Sequence, residues 1–251
     1  MGNQLLCIKK GYKMIDKEFE YLECEKRHVF FILMFVGGFL GAFTYSNRGG
    51  VFCNAQTANF VMMGMALGHQ QWSKAVYYLI PMSAYLVGAI LSEALPIPLK
   101  GKEIIRWDTL LIGIEIIVIF ILGLLPETAP YQVSQIAINL IMSMQYNTFR
   151  QARGIPMATT FCTNHIRQVG IHLYKTIHHH NDRKYLMRFI IHVGMLLTFV
   201  FGAIISTILC NLFLGKAIWC VLIPLGFLFI QLLRADLIEE RDFFQATPHG
   251  H

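Results

Sequence analysis

Apolar residues in this chain come in long, nearly charge-free runs rather than in alternation with polar ones. Six runs, at about residues 28 to 47, 72 to 95, 108 to 125, 131 to 149, 186 to 212 and 217 to 234, approach or exceed the roughly 20 residues a helix needs to cross a hydrocarbon core. The pattern is interrupted twice in the same manner. R-G-G-V-F-C-N-A-Q-T-A-N-F-V-M-M-G at 48 to 64 and R-G-I-P-M-A-T-T-F-C-T-N at 153 to 164 each place a cluster of amides and hydroxyls after an Arg-Gly step. Irregular backbone at membrane depth survives only when buried in protein or lining a cavity, so these segments make poor lipid-facing helices and good re-entrant ones. The pattern predicts an all-α polytopic membrane protein with six transmembrane helices plus two re-entrant half-helix segments, at about 50 to 67 and 153 to 173. Short helices are expected to start near Thr57 to Asn59 and near Thr163 and Asn164, whose side chains suit helix starts.

Composition supports that class. Of 251 residues 55% are hydrophobic and 14% charged, with mean hydropathy +0.50, where a soluble domain carries about 25% charged residues. No span is followed by a small-residue cleavage pattern, so no cleaved signal peptide is expected. Six cysteines without a C-x-x-C pair argue against a disulfide framework or a zinc site.

The net charge of +6 reads as a topology signal and not as a nucleic-acid footprint, because the charges sit in short loops beside the spans. With both polar segments re-entrant, 18 of the 21 Lys and Arg residues fall on the side of the termini, against Arg48, Lys74 and Lys216 on the other. Eight full crossings would put Lys100, Lys102 and Arg106 outside and the uncharged P-E-T-A-P loop at 126 to 130 inside. The positive-inside rule therefore favours six spans with both termini cytoplasmic. The expected units are a cytoplasmic segment 1–27, a membrane repeat 28–125, a second repeat 131–234 and a cytoplasmic tail 235–251.

The repeat is legible in the residues. Arg48-Gly49 matches Arg153-Gly154 and Asn59 matches Asn164 at an offset of 105, while Y-L-V-G-A-I-L-S at 85 to 92 matches F-V-F-G-A-I-I-S at 199 to 206 at an offset of 114. Three crossings per half invert the second half relative to the first, a plan that recurs in secondary transporters with the substrate site near the midplane.

G-G-F-L-G-A-F-T-Y-S-N-R-G-G-V-F-C-N-A-Q-T-A-N at 37 to 59, Q-Y-N at 145 to 147 and T-T-F-C-T-N at 159 to 164 resemble the YoaK-like family of uncharacterised bacterial inner-membrane proteins. The resemblance spans nearly the whole chain and implies a multi-pass protein of the bacterial cytoplasmic membrane. Family members commonly show Thr-Gly-Asn where this chain has Thr57-Ala58-Asn59, and many have Asp where Gly41 stands, so no proton-coupling carboxylate carries over to that position. The resemblance brings no activity with it.

Function is therefore read from the residues. Two helix N-termini converging at the bilayer centre would offer unpaired N–H donors to an anion. The candidate substrate ligands are Arg48, Asn54, Gln56, Thr57, Asn59, Gln145, Asn147, Arg153, Thr160, Thr163 and Asn164, with Thr57 and Asn59 expected to face Thr163 and Asn164. The competing explanation is that these groups only hold helices together, as polar side chains do in membranes. Arg48 and Arg153 either guide anions or snorkel to the interface. Glu115, the one acid well inside a span, is a coupling candidate or a hydrogen-bonded structural carboxyl.

The expectation is a secondary transporter of a small polar solute, anionic by preference, with no cofactor, no metal and no nucleic-acid partner. A passive channel or the membrane subunit of a larger importer are the alternatives, and homo-oligomerisation is left open. A membrane metalloenzyme ranks below these. His165, His172, His178, His179, His180 and His192 crowd the second half, but none forms an H-x-x-x-H pair and no H-E-x-x-H occurs.

Overall fold

A computed structural model describes residues 21–96, 105–179 and 182–241. Most of the basic N-terminal segment, Lys100 and Lys102, and the end of the C-terminal tail lie outside the described residues. Among the described residues the chain is all-α apart from a two-residue antiparallel ladder. Its α-helices are α1 (Arg27–Asn47), α2 (Gln56–Gly68), α3 (Trp72–Ala94), α4 (Trp107–Gly123), α5 (Tyr131–Thr148), α6 (Thr163–His178), α7 (Arg183–Phe213) and α8 (Leu222–Arg234). The ladder, β1 (Gln151–Ala152) with β2 (Ile155–Pro156), closes a tight hairpin between α5 and α6.

Among the described residues three helical stretches are long and apolar enough to cross a membrane: Arg27–Asn47, Trp72–Ala94 and Arg183–Glu239. The last contains a break. Leu214 has φ +51°, the chain then runs as a 3-10 stretch (Leu214–Val221), and α8 begins only at Leu222. The expected sixth span at 217 to 234 is thus not one continuous α-helix. Its α-helical part, α8, has 13 residues, about 20 Å of rise against a hydrocarbon core of about 30 Å. The break is held in place from below: Gly215 donates its N–H to Glu127 Oε1 at 2.7 Å, and Trp219 Nε1 donates to the Phe120 carbonyl at 3.1 Å.

The helices pack in pairs that exchange when the halves are exchanged. α1 lies along α7 as α5 lies along α3; α2 packs on α3 as α6 packs on α7; α4 and α8 pack on each other. Lipid gives apolar side chains no reason to leave it, so helix association there depends on close van der Waals fit, and small residues permit it. Gly38 of α1 meets the Phe199 carbonyl of α7, and Gly202 of α7 meets the Phe35 carbonyl of α1. The buried core around α1 holds Phe30, Leu33, Phe39, Leu40 and Phe43 with Ile112, Ile119, Ile138 and Met195. The outer surface is apolar as well, with Ile117, Leu197, Ile223 and Ile238 among its exposed side chains. An apolar surface this extensive is compatible with a membrane protein.

Candidate functional site

The polar segments enter from opposite ends of α1 and meet at its middle. After Asn47, Gly49 and Gly50 take φ +82° and +72°, a conformation that costs a glycine little, and the chain folds back along α1. The Cys53 N–H donates to Thr44 Oγ1 at 3.2 Å, and Asn54 Nδ2 donates to the Gly37 carbonyl at 2.8 Å. Gly41 has no side chain because Asn54 fills that space; a Cβ there would lie 2.8 Å from Asn54 Nδ2. The second segment starts at the other end of α1, where the Arg153 N–H donates to the Glu25 carbonyl at 3.0 Å. It reaches the same Gly37, where a Cβ would lie 2.6 Å from the Thr159 carbonyl oxygen. Asn54, Thr159 and Thr160 are all buried there. Tyr85 of α3 stands within electrostatic range of both segments, near Cys53 of the first and Thr160 of the second, and near Tyr146 of α5.

The helix starts fall where the polar clusters end, at Gln56 and Thr163, but their caps differ from expectation. The N-cap positions are Ala55 and Cys162, and neither start has a side-chain cap. Thr57 and Thr163 are exposed. Asn59 is fully buried, yet its amide turns back on its own loop: Oδ1 accepts from the Phe52 N–H at 3.1 Å, and Nδ2 donates to the Phe52 carbonyl at 2.7 Å and to Gln56 Oε1 at 3.1 Å. Asn164 accepts from Arg167 Nη2 at 3.0 Å in an exposed pair. The structure therefore does not bring Thr57 and Asn59 against Thr163 and Asn164. Residues three to five places earlier, Asn54 on one side and Thr159 with Thr160 on the other, reach Gly37 instead, because the extended chain before each helix, not the helix itself, reaches the middle of α1.

Other candidates divide in the same way. Gln56 Nε2 donates to Asn139 Oδ1 at 2.7 Å, strapping the first loop to α5. Gln145 is fully buried and both its side-chain polar atoms lack a partner among the described residues. Asn147 belongs elsewhere: it donates to Ser92 Oγ at 2.6 Å and Glu93 Oε1 at 2.9 Å, and Arg150 pairs with Glu93 beside it. Arg48 is buried, bonded to Glu127 Oε2 at 3.0 Å and lying over the Phe43 ring, with Nε and Nη2 unpartnered among the described residues. Its repeat counterpart Arg153 is exposed at the hairpin tip with φ +47°. The two arginines thus have different surroundings. Glu115 is fully buried, and neither carboxyl oxygen meets a hydrogen-bond partner among the described residues.

Several buried polar residues escaped the sequence reading. Gln135, Asn139 and Ser143 lie four residues apart along α5, and all are buried. Gln135 Nε2 donates to the Arg48 carbonyl at 2.5 Å and pairs with the Tyr77 hydroxyl, and Asn139 Nδ2 donates to the Gln135 carbonyl at 2.8 Å. The spacing of four within an apolar helix marks one face and was the available signal. Thr159, which the sequence reading did not single out, is buried next to the candidate Thr160; its Oγ1 has no hydrogen-bond partner among the described residues, while the Thr160 hydroxyl lies beside Tyr85. His165, His172 and His192 are buried together between α6 and α7. The search for H-x-x-x-H pairs passed over them because His165 and His172 are seven apart, which is two helical turns and also one face.

Residues 29–231 match the family described as protein of unknown function, DUF1275, and the chain belongs to that family. No curated protein and no solved structure matches the chain.

Proposed function

We propose that this YoaK-like member of the family is a secondary transporter of a small polar solute, anionic by preference, embedded in the bacterial cytoplasmic membrane. In this reading six stretches cross the bilayer with both termini in the cytoplasm, α2 and α6 are re-entrant, and the halves 28–125 and 131–234 are inverted repeats. One observation carries the reading: two polar loops that start at opposite ends of α1 meet at Gly37, where the buried Thr159 hydroxyl has no hydrogen-bond partner among the described residues and the buried Thr160 hydroxyl lies beside Tyr85. A buried polar group without a partner costs about 1–3 kcal/mol, which a ligand taken up there would offset. The exchange of helix pairs between the halves supports two inverted repeats around that point.

Purified protein screened by thermal shift against small carboxylates and inorganic oxyanions should be stabilised by at least one of them. Thr160→Val should then weaken binding about tenfold to a hundredfold, the cost of a lost hydrogen bond to a charged solute. Vesicles that take up none of the panel, with a melting temperature unmoved by all of it, would refute the reading.

A further inference from the structure

A line of rings runs from the α6–α7 turn to the second polar loop. Exposed His178 and His179 have ring centroids 5.3 Å apart, and His179 lies 5.2 Å from Tyr185 of α7. Tyr185 stacks on His172 at 6.2 Å, His172 stacks on His192 at 5.9 Å with the rings 3° from parallel, and His192 lies 5.1 Å from His165. The sequence builds this line by spacing: His165, His172 and His179 are seven apart at α6, as are Tyr185 and His192 on α7, so each set occupies one face.

Hydrogen bonding fixes the protons at the inner end. His165 Nε2 lies 2.8 Å from the Ala158 carbonyl, which can only accept, so Nε2 carries hydrogen. In neutral His165 the Nδ1 atom is then bare, and at 2.9 Å it accepts from His192 Nδ1–H. Neutral His192 is left with a bare Nε2. That atom is buried in a residue only 1% exposed and has no partner among the described residues. His172 Nδ1 is likewise buried and unpartnered. Among the described residues no three His, Cys, Asp or Glu side chains converge to hold a metal ion.

We propose that the His165–His192 pair is a proton-binding site coupled to the polar loop at Thr159 and Thr160. A proton from bulk water forms one N–H bond at His192 Nε2 and adds one positive charge. The Nδ1–H···Nδ1 proton can sit on either ring, so the charge spreads to His165, whose Nε2–H holds the residue just before Thr159. Release reverses the step at the same atom. The surroundings make this binding conditional. α7 brings Arg188, which opposes a positive charge on His192, and α6 brings Lys175, which opposes one on the neighbouring His172; α1 brings Phe31 near Gly194 and Phe35 near Gly202, and the loop brings the Ala158 carbonyl. An anion at Thr159 and Thr160 would favour the proton, and by linkage the proton would favour the anion to the same degree. This coupling rests on the solute reading above.

The test is a nitrogen NMR titration of histidine-labelled protein between about pH 4 and 9, which brackets the imidazole range. His165 should show a protonated Nε2 and a bare Nδ1, His192 Nε2 should take up one proton, and the Thr159 and Thr160 amide signals should move with the same midpoint. His192→Gln should abolish both the titration and the loop response. A His192 ring that does not titrate, or that titrates with Thr159 and Thr160 unmoved, overturns the proposal; the wild-type titration decides alone if the variant fails to fold. No solute is needed, so an intact titration in protein that binds no anion counts against the solute reading only.

Discussion

Gly88 of α3 lies so close to the backbone of α5 that a Cβ there would overlap the carbonyl oxygen of Leu140. Gly202 of α7 stands in the same relation to Phe35 of α1. The two glycines are 114 residues apart and their partners 105, the two offsets that relate the polar segments and the spans after them. One contact is therefore made twice, by corresponding residues of the two halves.

Gly88→Ala and Gly202→Ala should each destabilise the protein by about 1–3 kcal/mol, because the added methyl group meets a fixed carbonyl rather than a side chain that can move. Gly64 and Gly226, with open space where a Cβ would go, are the controls; there alanine should stabilise by up to about 1 kcal/mol through helix propensity. Thermal unfolding in detergent separates the pairs, and equal melting temperatures for all four variants would remove the packing role.

Asn59→Ala and Asn164→Ala should part company although the residues correspond in the repeat. Asn59 holds three bonds within a buried loop, so its loss should cost about 1.5–4.5 kcal/mol at roughly 0.5–1.5 each. Asn164 holds one exposed bond, and its loss should stay within about 0.5 kcal/mol. Denaturation curves of the two variants check this.

Arg106 joins the start of α4 to the C-terminal end of the chain, its guanidinium pairing with Glu240 and Asp236, while the Glu23 N–H donates to Glu240 Oε1 at 2.7 Å. Arg106→Ala would strand these buried carboxylates and should cost about 3–5 kcal/mol, read from the shift in unfolding midpoint.

Glu23 gives that region a pH dependence. Its contact with His28 Nε2 at 3.3 Å, with help from Lys26 and against the opposing effect of burial, holds the carboxyl below its ordinary value of 4.5. A lowered folded-state value means that the stabilisation is complete above the unfolded value and is lost as pH falls through the folded one. His28→Ala should therefore leave melting near pH 7 less stable than wild type and narrow the gap between the two proteins in strong acid, as melting curves down the acid range will show.

Single cysteines test the six-crossing arrangement. Positions Gln70, Thr128 and Lys216 should label from outside intact cells, and Arg153 and His178 only after permeabilisation. Labelling of Arg153 and Thr128 from the same side would exclude it.

The sequence by itself determined where most of the helices lie and which residues match at the offsets of 105 and 114. Hydrophobic run length fixes the extent of α1, α3, α4, α5 and α7, since each must satisfy its own backbone, and the Arg-Gly steps mark where the chain leaves a helix. The break at Leu214 was hidden inside an apolar run, because it is made by a positive φ and by Glu127, 88 residues away, accepting from Gly215. Only the tertiary structure decided which polar atoms meet. Asn59 and Asn164 look equivalent in the chain, but hydrogen-bonding capacity is spent on whatever lies nearest in space: Asn59 spends it on Phe52 and Gln56, while Asn54, Thr159 and Thr160 reach the middle of α1 because Gly37 and Gly41 leave room for them. His165 and His192 are 27 residues apart and become a hydrogen-bonded pair only because α6 packs on α7.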